Sequence, residues 1–165
     1  MSSENDHIRN RCREIAKRLR PACITKITPI VQFGVEARIE YNPDGTATVE
    51  AADPDNSRAL LALLHEFGHT AVGHGSFSRY TLPYHFKEYE CEQWALEQLR
   101  ELAPDMVPSL QRASREYIMD ALREDFPAQE GLITEVLDYL APSQREQIIK
   151  ELNGCREQCG AVWAK

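Results

Sequence analysis

Apolar residues recur at two different periods along this chain, and the change of period marks its elements. Ile8, Cys12, Ile15 and Leu19 stand three or four residues apart, which predicts an amphipathic helix over about residues 4–20, stopped at Pro21. Its apolar stripe needs a surface, and a sheet face is the expected one. From Cys23 the period falls to two. Residues 23–30 and 31–41 are rich in β-branched side chains, and Val35, Ala37, Ile39 and Tyr41 alternate with Glu36, Arg38 and Glu40. Asn42-Pro43-Asp44-Gly45 is a strong turn sequence, so residues 46–51 are expected to return as a strand and close a β-hairpin.

The helical period then resumes. Asp53 is expected to cap the helix and Pro54 to occupy its first position, where a missing N–H costs nothing. Leu60, Leu64, Phe67 and Ala71 form its apolar face, with Leu61, His65 and His69 beside it, and Gly73-His74-Gly75 predicts a left-handed termination. A second helix is expected over residues 84–102, ended by Ala103-Pro104. Three more follow, over about 105–125, 129–140 and 143–159, separated at Pro127, Gly131 and Pro142-Ser143. The pattern predicts an α+β domain over residues 1–104, with a small antiparallel sheet, and a helical extension over 105–165 packed on it. Residues 46–51 are the candidate edge strand, able to bind extended peptide by strand addition.

The first of these helices carries the chemistry. His65-Glu66-Phe67-Gly68-His69 reads HExxH, and two histidines four apart lie ~40° apart around a helix, so both imidazoles can reach one Zn²⁺ at about 2.0–2.1 Å. Glu66, one step round, falls beside the ion. There a carboxylate can take a proton from a water acidified by the metal and hand it to a leaving amine, as amide hydrolysis requires. The bland reading, two histidines satisfying core hydrogen bonds, is outweighed by the helical setting that the motif demands.

A catalytic zinc needs a third protein ligand, and the candidates are Glu88, Glu90, His74 and His85. At 100° per residue, Cys91, Glu92, Ala95 and Leu99 all fall within ~60° of Glu88, on the face that must pack. Glu88 therefore points inward, where a carboxylate is costly unless paired or metal-bound. Glu90 lies at ~200° with Glu97 and Glu101 and is expected to be solvated. Glu92, one turn after Glu88, suits the role of accepting a hydrogen bond from a metal-bound imidazole. His74 remains an alternative ligand, although metzincins place glycine and the last histidine where this chain has Val72 and Gly75. Tyr80, Tyr84 and His85 are unranked candidates to donate to a developing oxyanion. Cys155 and Cys159, also four apart, fit a buried stripe better than a metal site.

Composition narrows the setting. The chain has 165 residues and a net charge of −7, and residues 86–165 hold 9 basic against 16 acidic groups. That balance disfavours direct nucleic-acid binding. Five scattered cysteines and a polar N-terminal stretch point to a reducing, cytoplasmic location, and no apolar run approaches the ~18 residues of a membrane span.

At these residues the chain resembles a known family. LLALLHEFGHTAVGH followed by KEYECEQWALEQL is similar to the ImmA/IrrE-type metallopeptidases, gluzincin-like proteases of prophages, mobile elements and stress responses. The resemblance spans about residues 30–103. It implies a zincin-like fold, His65, His69 and Glu88 as zinc ligands, Glu66 as catalytic acid and base, and cleavage of a cytosolic regulator such as a helix-turn-helix repressor. Two positions depart from the family pattern: Cys91 stands for the usual Ala, and Glu92 for a shorter Asp or Asn. The competing expectation, from a different functional class, is a non-catalytic regulatory module with a structural zinc and a docked protein partner. Glu66 is hard to explain on that view.

Overall fold

The computed structural model describes residues 2–30, 37–75, 81–125 and 133–158. Its elements in chain order are α1 (Ser2–Leu19), β1 (Ile24–Pro29), β2 (Ala37–Tyr41), β3 (Ala47–Ala51), α2 (Ser57–Ala71), α3 (Tyr84–Leu102), α4 (Val107–Asp125), α5 (Ile133–Tyr139) and α6 (Pro142–Gln158). They fall into two compact units, Met1–Thr81 with Glu90–Gln111, and Leu82–Tyr89 with Arg112–Lys165. Among the described residues, no helix is long and apolar enough to cross a membrane.

In the first unit, the expected hairpin forms. Gly45 takes a left-handed φ of 82°, and β2 pairs antiparallel with β3 from Ala37 opposite Ala51 to Tyr41 opposite Ala47. The sheet as a whole is mixed rather than antiparallel, because β1 runs parallel to β3 in the order β1-β3-β2. Period-two alternation says which face a side chain takes; it carries no information about the direction of the neighbour. The same order corrects the candidate edge: β3 is central, and its Ala47, Val49 and Ala51 are buried, while β2 lies at an edge among the described strands. The α2 helix packs on β2 and β3, and α1 packs on α2.

Helix α2 begins later than its sequence suggested. Asn56 is the cap, its side chain accepting from the backbone N–H groups of Arg58 and Ala59, both at 3.0 Å. Asp53 is drawn away by an ion pair with Arg13 of α1, so its carboxylate is held below the usual range, chiefly by hydrogen bonding to that guanidinium. The other end matches expectation. Gly73 has φ 81°, and the N–H groups of His74 and Gly73 bond back to the carbonyls of His69 and Thr70 at 2.9 and 3.2 Å. This paired closure folds residue 74 back against residue 69.

The second unit is helical. Ile118, Leu122, Val136, Leu140, Ile148 and Leu152 form its core, and Phe86, Tyr89 and Tyr139 pack against it. Tyr139 is fixed by a 2.6 Å hydrogen bond with Ser114.

Candidate metal centre

The five motif residues sit at the C-terminal end of α2, where Leu60, Leu64 and Phe67 are fully buried and hold the helix against the rest of the unit. His65 and Glu66 are buried with them. Gly68, between the two histidines, lets the backbones of α2 and α3 approach. A Cβ at that position would stand 3.0 Å from the Cα and 3.1 Å from the Cβ of Cys91. The close approach brings Glu90, Cys91 and Glu92 to the histidine pair.

Each imidazole is oriented through its Nδ1. His65 Nδ1 lies 2.8 Å from Glu92 Oε1, so it donates its hydrogen to that carboxylate, and Nε2 is the ring's acceptor nitrogen, the kind of donor atom a cation takes. His69 Nδ1 lies 2.8 Å from Nδ1 of His74, whose Nε2 is 3.0 Å from Glu90 Oε2. Because a carboxylate can only accept, Glu90 fixes the hydrogen on His74 Nε2, and the neutral tautomer of His74 then accepts from His69 Nδ1. Glu92 thus makes a hydrogen bond to an imidazole, as expected of it. Glu90, expected in solvent, keeps a side chain only 20% exposed and works through His74.

A ring nitrogen of His65, one of His69 and Sγ of Cys91 all lie within 4.8 Å of one another, so this cluster could hold a metal ion. Tetrahedral bonds of about 2.3 Å to sulfur and 2.0–2.1 Å to nitrogen place such donors about 3.5 Å apart, well inside that limit. The charge environment also suits a cation. Glu66 and Glu92 are both buried, and Oε2 of Glu92 has no hydrogen-bond partner. Buried carboxylate is costly without positive charge nearby.

The other candidates from sequence are placed as follows. His74 is buried and joins the cluster through His69 and through a 3.5 Å contact with Cys91 Sγ. Glu88 is buried, as its helix face required, and accepts a 2.6 Å hydrogen bond from the Tyr117 hydroxyl within the second unit. Burial, followed by the Glu88 charge, pushes the Tyr117 phenol far above its usual range, and Tyr84 hydrogen-bonds the same hydroxyl. His85, in that unit too, engages Asp125: its Nδ1 and backbone N–H lie 2.7 and 3.0 Å from Oδ2. Tyr80 lies outside the described residues.

Cys91 and Tyr41 are the residues the sequence reading undervalued. Helix periodicity puts Cys91 on the packed face of its helix and assigns it no part in the chemistry. The Tyr41 ring packs on Gly75, where an added Cβ would come within 2.7 Å of it. Burial raises the Tyr41 phenol, with further contributions from the Cys91 and Glu66 charges. Its signal was positional: Tyr41 ends the alternating strand, just before the turn. No family model, curated protein or solved structure matches this chain.

Proposed function

We propose that the protein is a zinc-dependent endopeptidase of zincin-like fold, acting in the cytoplasm on a polypeptide such as a helix-turn-helix repressor. The observation that carries this reading is the pair of imidazoles on one helix end, each with Nδ1 engaged by a hydrogen-bonded neighbour, beside a buried carboxylate one residue along. His65 and His69 would hold the ion with Glu88, which stands one helical turn before Cys91 and Glu92 on α3. Zinc held there would supply Lewis acidity toward a peptide carbonyl and a water molecule. Glu66 would accept the proton of the attacking water and return it to the leaving amine. Peptide would enter along β2, an edge among the described strands, where backbone groups can extend the sheet.

A second reading is favoured by one observation, the Cys91 sulfur inside the cluster. If Cys91 and Glu88 both ligate, four protein donors would close the centre, and the protein would be a zinc-containing binding module. Metal content and peptide cleavage measured on the same preparation separate the two. One zinc per chain with turnover, and loss of zinc in Glu88→Ala, is the expected result. Zinc retained with no turnover on any peptide or repressor substrate would favour the module. A pulldown with Glu66→Gln would capture the uncleaved target.

A further inference from the structure

We propose that Cys91 is a ligand of the metal, its sulfur joining His65 and His69 to give a two-histidine, one-thiolate donor set. The proposal rests on the reading that this centre holds a metal ion: with Glu88 as a fourth donor it gives the closed module, and in place of Glu88 it leaves one position open for water. The three donor atoms lie within 4.8 Å of one another, which is the spacing one small ion can span. Cys91 is fully buried, so its sulfur has no solvent to face. Its position is imposed by packing, since the missing side chain at Gly68 seats the Cα and Cβ of Cys91 directly against α2. Nδ1 of His74 stands 3.5 Å from the Cys91 sulfur, but its one lone pair already accepts from His69 Nδ1–H, so it does not compete for the thiol hydrogen.

Ligation breaks the S–H bond and forms a sulfur–metal bond; the proton leaves to solvent, and no oxidant is required. A thiolate beside two imidazoles is a donor set suited to zinc and ill suited to magnesium or calcium, which take oxygen donors. The chain therefore departs from a centre made of nitrogen and carboxylate alone. Thiolate donation lowers the positive charge left on the ion and so weakens its pull on any fourth ligand.

The test is cobalt(II) substitution of the full chain, read by absorption. The expected spectrum contains a sulfur-to-cobalt charge-transfer band in the near ultraviolet, lost in Cys91→Ser and in Cys91→Ala while both variants still retain cobalt. Peptide mapping after iodoacetamide treatment should also find Cys91 protected in the metal-loaded protein and labelled after chelation. Cobalt bound without the band, or a band unchanged in Cys91→Ser, would overturn sulfur ligation and leave the metal reading standing. Failure of the wild-type chain to retain cobalt or zinc would overturn the metal reading itself, and sulfur ligation with it.

Discussion

Nδ1 of His69 and Nδ1 of His74 lie 2.8 Å apart, so a single hydrogen is shared between two nitrogens that are five residues apart in the chain. The contact exists because α2 ends in a left-handed glycine that turns residue 74 back on residue 69. Glu90 then decides the direction of the bond, by holding the one ring hydrogen of His74 on Nε2. The tautomer of a proposed metal ligand is thus set two residues away from it, through His74.

His74→Ala and Glu90→Gln should each weaken zinc affinity by about 10–100-fold, the usual effect of losing a group that orients a ligand. Competition with a chromophoric chelator measures it. An affinity within twofold of the wild type in both variants would remove Glu90 and His74 from the centre. Helix periodicity places Glu90 in solvent, so this variant tests the point where structure and sequence differ most directly.

Gly73→Ala should be destabilising by about 1–2 kcal/mol, because its φ of 81° is strained for any residue with a Cβ. A thermal melt about 2–8 °C lower is expected, with zinc affinity reduced as His74 moves. An unchanged melting temperature would mean the helix end can close another way.

Gly68→Ala tests the close approach of the two helices. The added methyl meets backbone atoms of Cys91 at 3.0–3.2 Å, which cannot rotate away, so α2 and α3 must separate slightly. A loss of roughly 1–3 kcal/mol is expected for such overpacking. Denaturant unfolding measures it, and an unaltered midpoint would show that the interface yields without cost.

Glu66→Gln keeps the size and removes the base. Peptide cleavage should fall by about 10²–10⁴-fold with zinc content unchanged. Turnover close to wild type would exclude Glu66 from proton transfer.

Acid sensitivity should include a contribution from Asp105. Arg11 forms two hydrogen bonds to its carboxylate, at 2.7 and 2.6 Å, and these hold its pKa below the normal range. A depressed folded value means the stabilisation is present above the unfolded pKa of about 3.9 and lost as pH falls through the folded one. Asp105→Asn should therefore lower stability at pH 6 and make little difference at pH 2. Equal deficits at both pH values would point to lost packing in place of the ion pair.

Several elements were legible in sequence because their causes are local. The turn at Asn42–Gly45, the left-handed Gly73 and the span of α3 follow from residues adjacent to the features they create. The inward aim of Glu88 followed from helix periodicity alone, and its burial agrees. What escaped depended on partners distant in the chain. Asp53 lost its expected capping role to Arg13, 40 residues earlier, and the β1–β3 pairing joins segments separated by a whole hairpin. Glu90 was assigned to solvent because its own helix offered only acidic neighbours, whereas its partner His74 arrives from the end of another helix.

The strand order has a consequence for the sequence of events on the ribosome. β1 is made first, yet its neighbour β3 is the last of the described strands to emerge, after β2 has already been synthesised. Ile24, almost wholly enclosed in the finished sheet, must wait exposed until the hairpin has zipped and offers its inner flank. A nascent chain arrested just short of Ala47 should therefore be a chaperone client, and one arrested beyond α2 should not.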